Sequence, residues 1–224
     1  MITNAAGEKV PKHFGYGTAG FRTLGTHLEK VLFRVGILMA LKAKLTTRAA
    51  LMVTASHNAA PDNGVKIIEC DGSMLDQAWE PLAEGLANCA DLRTFLEELD
   101  NSPDKHKYGL QESIFCKTTF AEACFAMDTR VTSPALVKAA MTSCEMMGVT
   151  CTDFGFCTTP QLHWLISQNK TKKMDHGLYI SHLREVFMAF MVLADGPEKK
   201  NYQKDMILDG ANGIGAVIMK EWLG

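Results

Sequence analysis

The chain has 224 residues, 47% apolar and 21% charged, which suffices for a sizeable core in one or two domains and excludes a disordered chain. The formal net charge of −2, with lysine and arginine scattered along the chain, excludes a basic face for nucleic acid and a polybasic membrane anchor. The start lacks a signal-peptide core and no later apolar run could span a bilayer, so we expect a cytoplasmic protein without a membrane partner.

The cysteines predict reduced thiols in a packed core. Their number, seven, is odd, they contain no Cys-x-x-Cys pair, and most of them fall within apolar segments. Metal binding by these cysteines is therefore much less favoured than burial.

Helical and extended patterns alternate along the first half of the chain. Apolar side chains at helical spacing predict an amphipathic helix, and short apolar runs bounded by turn residues predict buried strands. The predicted elements are a helix over 27–44, strands over 49–53 and 65–68, a helix capped by Asp76, a surface loop over 100–105 and a segment over 111–120 that fits helix or strand.

The alternation continues in the second half. The predicted elements are a strand over 121–127, a helix from Ser133 (N-cap) and Pro134 to 147, a strand over 149–154, a helix over 161–168, a polar linker over 169–173, a helix over 177–193, a strand over 206–208 and a turn over 209–213 leading into a helix. This order predicts an α/β fold with a mixed or parallel sheet covered by helices on both faces.

A polar loop follows the predicted strand over 49–53. It carries Ser56 and His57, and Lys66 lies on the next strand, so a hydroxyl, an imidazole and an amine share one strand-loop-strand unit at the carboxyl edge, where α/β sheets bind ligands. Alone, such a stretch is more often an ordinary turn. A serine hydrolase is disfavoured, because no Gly-x-Ser-x-Gly elbow surrounds Ser56 and an adjacent imidazole rarely reaches the hydroxyl.

Two further stretches place charge beside turns. The turn over 17–20 can direct backbone N–H groups at an anion, and Arg22 offers a planar fork for phosphate oxygens. Asp128 and Arg130 follow the strand over 121–127 and form either a structural ion pair that holds a loop or a direct contact to substrate.

Four motifs in this order resemble the amino-terminal part of the α-D-phosphohexomutases. They are Tyr-Gly-Thr-Ala-Gly-Phe-Arg at 16–22, Thr-Ala-Ser-His-Asn at 54–58 with Asn-Gly-Val-Lys at 63–66, Asp-Thr-Arg-Val-Thr-Ser at 128–133 and Thr-Thr-Pro-Gln-Leu-His at 158–163; Phe-Arg-Val-Gly at 33–36 also fits. The resemblance runs from about Gly15 to the end of the chain. It implies a first domain over 1–170 and the start of a similar second α/β domain over 171–224.

The resemblance also implies a chemistry. Ser56 would be phosphorylated, pass its phosphoryl group to a sugar phosphate and take back the other phosphate from a hexose 1,6-bisphosphate intermediate. A phosphoserine carries about −1.5 to −2 charges, and the family pairs it with Mg²⁺, with Ser56 as one metal ligand. Lys66 would be the general base, with His57 as the alternative base or as a donor to phosphoryl oxygens, and Arg22 would orient phosphate.

The chain departs from the family pattern at several points. Ala59 stands where a proline is usual, with Pro61 two positions later, and Ala126 stands where a glycine is usual. The family's metal loop, Asp-Gly-Asp-x-Asp-Arg, does not occur in this sequence, nor does its sugar-recognition loop or its carboxyl-terminal phosphate-binding domain. The other magnesium ligands would then come from the remainder of the enzyme, and the chain is either a fragment of a longer enzyme or a natural short form with little activity.

The resemblance further implies a substrate. The motifs favour interconversion of N-acetylglucosamine 6-phosphate and 1-phosphate, on the route to UDP-N-acetylglucosamine. A glucose or mannose phosphate is the alternative within the family, because the sugar-selecting loop is not in this sequence. An alternative of another class is a catalytically silent module that binds phosphosugars or a partner.

Overall fold

The computed structural model describes most of the chain. The described residues are 2–3, 9–10, 13–55, 57–116, 120–168, 176–193, 205 and 207–223. In chain order the elements are β1 (Ile2–Thr3), β2 (Lys9–Val10), β3 (Phe21–Leu24), α1 (Glu29–Thr46), β4 (Arg48–Val53), β5 (Asp62–Ile68), α2 (Glu80–Asn88), α3 (Leu92–Asn101), β6 (Glu122–Met127), α4 (Ser133–Met146), β7 (Thr150–Phe156), α5 (Thr159–Ser167), α6 (His176–Leu193) and α7 (Ile214–Leu223). Short 3-10 helices occupy Gly25–His27, Gln77–Trp79 and Pro103–Tyr108.

Five strands form one mixed sheet in the order β3-β5-β4-β6-β7. The pairs β3–β5 and β5–β4 are antiparallel, whereas β4–β6 and β6–β7 are parallel. The short strands β1 and β2 pair only with each other. The mixed sheet predicted from the sequence is therefore confirmed.

Helices cover the sheet on both faces, as predicted. Along β4 the side chains alternate: Leu51 and Val53 belong to the core beneath α1 and α4, and Met52 belongs to the smaller core beneath α5. Because β4 is the central strand and both of its faces are covered, its sequence after Arg48 is continuously apolar rather than alternating.

Helix α1 is buried along most of its length. A Cβ atom added to Gly36 would lie 2.0 Å from the carbonyl oxygen of Ala140, so α1 and α4 approach closely at this glycine. Lys42 is also buried, but its charge is paired: its Nζ lies 2.7 Å from Glu69 Oε2 and 4.3 Å from the centre of the Trp79 ring.

Several sequence predictions need correction. The prediction of a strand over 206–208 is wrong within the described residues: Ile207 and Leu208 are not in a strand, and Ile207 is fully exposed. An apolar run needs a neighbouring strand to pair with, and no described strand lies beside this run; Met206 lies outside the described residues. Ser133 is the first residue of α4 rather than its N-cap, which is Thr132, and the Ser133 hydroxyl donates to Asp128.

The prediction of a surface loop over 100–105 is also wrong in part. Helix α3 extends to Asn101, and a 3-10 helix begins at Pro103 after the hydroxyl of Ser102 accepts from the Asp104 amide. Residues 111–116 are neither helix nor strand, and 117–119 lie outside the described residues. The domain boundary after residue 170 falls in 169–175, likewise outside them, and stays a prediction.

The seven cysteines are free thiols, but the prediction that they lie in the core holds only in part. Cys124, Cys144 and Cys157 are buried, whereas Cys70, Cys89 and Cys151 are half-buried and Cys116 is exposed. Burial raises the pKa of Cys124 and Cys157 to about 12, so these two thiols stay protonated. Among the described helices, none combines the length and apolar character needed to cross a membrane.

Candidate functional site

The loop between β4 and β5 leaves the carboxyl end of β4, as predicted. Ser56 lies outside the described residues, so its predicted role is not tested by the structure. On either side of it, Ala55 is buried and His57 is exposed. The Asn58 amide donates to the Ala55 carbonyl over 2.8 Å, which brings the two ends of this four-residue segment together.

Arg22 reaches this loop from the edge strand β3. Its Nη1 donates to Asn58 Oδ1 over 2.8 Å, and Asn58 Nδ2 in turn donates to Asp62 Oδ2 over 2.9 Å. The Nε atom of Arg22 is buried and has no hydrogen-bond partner among the described residues. A buried guanidinium N–H without a partner favours an anionic acceptor, which agrees with the predicted phosphate contact.

The turn over 17–20 is fastened to β5 and α2. The Gly20 amide donates to the Gly17 carbonyl over 2.6 Å, the Tyr16 amide donates to Glu84 Oε1 over 2.7 Å, and the Ile67 amide donates to the Tyr16 hydroxyl over 3.1 Å. Burial raises the pKa of Tyr16 to about 12, so the phenol stays neutral. The turn is therefore held in place from both sides.

Gly20 is required at the end of this turn. Its φ is +73°, and a Cβ atom there would lie 1.9 Å from the carbonyl oxygen of Val65. The backbone of the turn can approach β5 this closely only because residue 20 has no side chain.

Lys66 lies on the same face of the sheet as Arg22. Arg22 pairs with Gly64, and Lys66 is two residues further along β5, so the side chains of Arg22 and Lys66 project to one side. Lys66 is half-buried, forms no hydrogen bond or ion pair with the described residues, and lines a cavity of about 70 Å³ together with Gly17 and Thr18. The structure thus brings Lys66 beside the predicted anion-binding turn, whereas exposed His57 has no described contact with these groups.

Asp128 is the buried polar centre beneath the loop. It follows β6, and its carboxylate accepts hydrogen bonds from Thr54 Oγ1 (2.8 Å), Ser133 Oγ (2.9 Å), the Arg130 amide (3.1 Å) and Arg130 Nε (3.2 Å). Four donors satisfy both oxygens, so the carboxylate joins the ends of β4 and β6 to the start of α4.

The Arg130 guanidinium binds the backbone of the same loop. Nη1 donates to the carbonyls of Ala59 and Asp62, both over 2.7 Å, and Nη2 donates to the carbonyls of Asn58, over 3.0 Å, and Ala55. With Nε on Asp128, all five N–H groups are in use. Of the two roles that the sequence left open for this pair, the structure supports the ion pair that holds a loop.

The sequence did not identify which groups accept the hydrogen bonds around the loop between β4 and β5. The hydroxyl oxygens of Thr132 and Ser133, for example, accept from Asn63 Nδ2 over 2.9 and 3.0 Å and so link β5 to α4. The spacing of the motifs suggested that these stretches act together. The directions of the loop carbonyls that Arg130 binds, however, depend on the tertiary structure and cannot be predicted from the sequence.

The described residues do not supply a complete magnesium site. They contain no group of three His, Cys, Asp or Glu side chains that could hold a metal ion, and four donors already occupy the Asp128 oxygens. The arrangement instead suits an anion, because Arg22 and Lys66 are cations on one face without a carboxylate partner in the described part of the chain.

This fold and this cluster of motif residues define a phosphohexomutase domain. Residues 19–91 match the family model for "Phosphoglucomutase/phosphomannomutase, alpha/beta/alpha domain I". Over these residues the chain belongs to the domain I family of the phosphohexomutases.

Within this family the chain is similar to phosphoacetylglucosamine mutases. It is 37% identical to that of Oryza sativa subsp. japonica over 215 residues, covering 93% of this chain and 37% of the relative. It is 36% identical to that of Saccharomyces cerevisiae over 226 residues, covering 94% of this chain and 39% of the relative. The chain therefore spans about two fifths of the length of these relatives.

Solved structures show the same similarity. N-acetylglucosamine-phosphate mutase in its product complex superposes with a TM-score of 0.77 at 33% identity, over 94% of this chain and 39% of the other. Two Aspergillus fumigatus N-acetylphosphoglucosamine mutase structures are also similar. The complex with glucose 1,6-bisphosphate has a TM-score of 0.72 at 28% identity, covering 94% of this chain and 38% of the other. The complex with GlcNAc-6P and magnesium has a TM-score of 0.68 at 29% identity, covering 96% of this chain and 39% of the other.

Proposed function

We propose that this chain forms the amino-terminal part of a phosphoacetylglucosamine mutase. The enzyme would interconvert N-acetylglucosamine 6-phosphate and 1-phosphate in the cytoplasm, on the route to UDP-N-acetylglucosamine. One observation carries the proposal: Arg22 and Lys66, two cations without carboxylate partners among the described residues, share one face of the sheet beside the loop that contains Ser56. The similarity to named mutases supports the choice of sugar.

The proposed reaction begins with a phosphoryl group on the Ser56 oxygen. The bond between phosphorus and this oxygen breaks and a bond to a sugar hydroxyl oxygen forms. The hydroxyl proton passes to Lys66, which can accept it only after its ammonium group has given up a proton, or to His57 in the alternative assignment. The hexose 1,6-bisphosphate then returns its other phosphate to Ser56. Arg22 would hold phosphate oxygens through its Nε, which has no partner among the described residues.

Magnesium belongs to the whole enzyme in this proposal. When bound, the ion would neutralise charge on the transferring group. Ser56 would be one ligand, and the other ligands would come from the remainder of the enzyme, since the described residues do not complete a site. The Aspergillus fumigatus complex with magnesium supports the choice of ion.

A hybrid enzyme tests the phosphoryl-carrier role. The 224 residues would replace the matched segment of the Saccharomyces cerevisiae relative, and the hybrid would be incubated with glucose 1,6-bisphosphate and Mg²⁺. We expect one phosphoryl group at Ser56 by peptide mass mapping and mutase turnover, both lost in Ser56→Ala. A hybrid that melts cooperatively but gains no phosphoryl group would overturn the proposal and favour the silent module.

Sugar choice needs the complete enzyme of which this chain is proposed to be a part, because the sugar-recognition loop is not in this sequence and the hybrid carries the loop of the relative. Turnover of that enzyme would be compared with N-acetylglucosamine 6-phosphate and with glucose 6-phosphate as substrates. A higher kcat/KM for the acetamido sugar supports the proposal, whereas a higher kcat/KM for glucose 6-phosphate supports the phosphoglucomutase alternative.

A further inference from the structure

The Arg130 guanidinium holds the backbone on both sides of Ser56. We propose that Arg130 is a positioning residue for phosphoryl transfer, which orients the Ser56 loop and does not touch the substrate. The inference rests on the proposed role of Ser56. Its structural part, that Arg130 keeps the loop in one conformation, can be tested without any phosphoryl chemistry.

The bonding pattern of Arg130 fits this role and no other in the site. Two of its acceptors, the carbonyls of Ala55 and Asn58, flank Ser56, and two more, those of Ala59 and Asp62, lie further along the same loop. No N–H group is left for a phosphate. A lysine could not replace this pattern, because its three N–H groups radiate from one atom rather than from a planar fork.

The guanidinium is itself fixed to the sheet. Its Nε binds Asp128, which follows β6 and also accepts from Thr54 at the end of β4. The side chains of Arg130 and Asp128 are only 12% and 6% exposed, so solvent screens these bonds weakly. The loop is therefore anchored to the ends of two neighbouring parallel strands in addition to the hydrogen bonds within its own turns.

This anchoring matters because phosphoryl transfer depends on position. A carrier oxygen displaced by about 1 Å can lose about 100-fold in rate. Loosening Arg130 should therefore lower kcat of the hybrid by about that factor, while KM changes little because Arg22 and Lys66 remain in place.

The experiment compares Arg130→Lys with a matched control, Arg48→Lys. Arg48 also binds a carboxylate, with Nε and Nη2 donating to Glu122 Oε2 over 3.1 and 2.8 Å, but at the opposite end of β4 and β6. Backbone amide exchange would be measured on the 224-residue chain and turnover on the hybrid. We expect Arg130→Lys to speed exchange over 57–62 selectively and to lower kcat, and Arg48→Lys to do neither.

Each outcome bears on the proposal. Unchanged exchange over 57–62 in Arg130→Lys would overturn it, and so would a raised KM at unchanged kcat, which would mean that Arg130 binds substrate. Should Arg130→Lys fail to melt cooperatively, Thr54→Val removes one bond that fixes Asp128, and it should speed loop exchange to a smaller extent. If the parent hybrid has no turnover, the proposed function fails and the exchange comparison alone decides whether Arg130 fixes the loop.

Discussion

Arg22 Nη1 donates a hydrogen bond to Asn58 Oδ1 over 2.8 Å, joining the edge strand β3 to the loop that carries Ser56. The two residues come from separate motifs, 36 positions apart in the sequence. Because Arg22 Nε has no described partner, the same guanidinium can bind the loop and still offer donors to an anion.

Replacing Arg22 should weaken phosphosugar binding. In Arg22→Met the hybrid should show KM raised by roughly 10- to 100-fold, since a hydrogen bond to a charged group contributes about 1.5–3 kcal/mol. Arg93→Met is the control, because Arg93 is exposed on α3 and, among the described residues, forms an ion pair only with its helical neighbour Glu97. Steady-state kinetics with both variants checks this, and equal KM values would contradict the phosphate role of Arg22.

Gly20→Ala should destabilise the chain by about 2–4 kcal/mol, because it combines a positive φ with a clash against the Val65 carbonyl. Gly17→Ala, in the same turn, should change the free energy of unfolding by less than about 0.5 kcal/mol, since a Cβ atom there meets nothing within 4 Å. Urea unfolding of both variants measures the difference. Similar losses would show that the turn does not approach β5 as described.

Asp128→Asn should destabilise the fold by about 3 kcal/mol, because it removes the buried negative charge that pairs with Arg130 and turns one of two acceptor oxygens, each facing two donors, into a donor. The exposed pair Asp104–Lys107 provides the control, and Asp104→Asn should cost less than about 0.5 kcal/mol. Guanidinium chloride unfolding measures both values. A small loss in Asp128→Asn would mean that the network is weaker than its distances indicate.

Stability should fall at alkaline pH through Tyr16. Burial raises the pKa of this phenol from 10.0 to about 12, so the folded state disfavours the phenolate. The stabilisation is complete below pH 10 and is lost as the pH rises towards about 12. Tyr16→Phe should flatten this part of the pH dependence, measured as unfolding free energy against pH. An unchanged slope would show that the phenol ionises equally well in both states.

The strands of the sheet centre were predictable because their burial leaves a local mark. β4 and β6 are covered on both faces, so each reads as a continuous apolar run. The edge strand β3 was missed, because only Phe21 of its four residues is buried. The apolar run over 206–208 was predicted to be a strand, but apolar character alone cannot provide the neighbouring strand that pairing requires.

The sequence by itself determined the family motifs, four of the five strands of the mixed sheet and the placement of Ser56 after a buried strand, because residue type, spacing and apolar runs are local properties. Only the tertiary structure decided that Arg130 binds loop carbonyls rather than substrate and that Arg22 and Lys66 share a face. The reason is physical: hydrogen bonds to backbone carbonyls depend on where distant segments meet, and every residue type carries the same carbonyl.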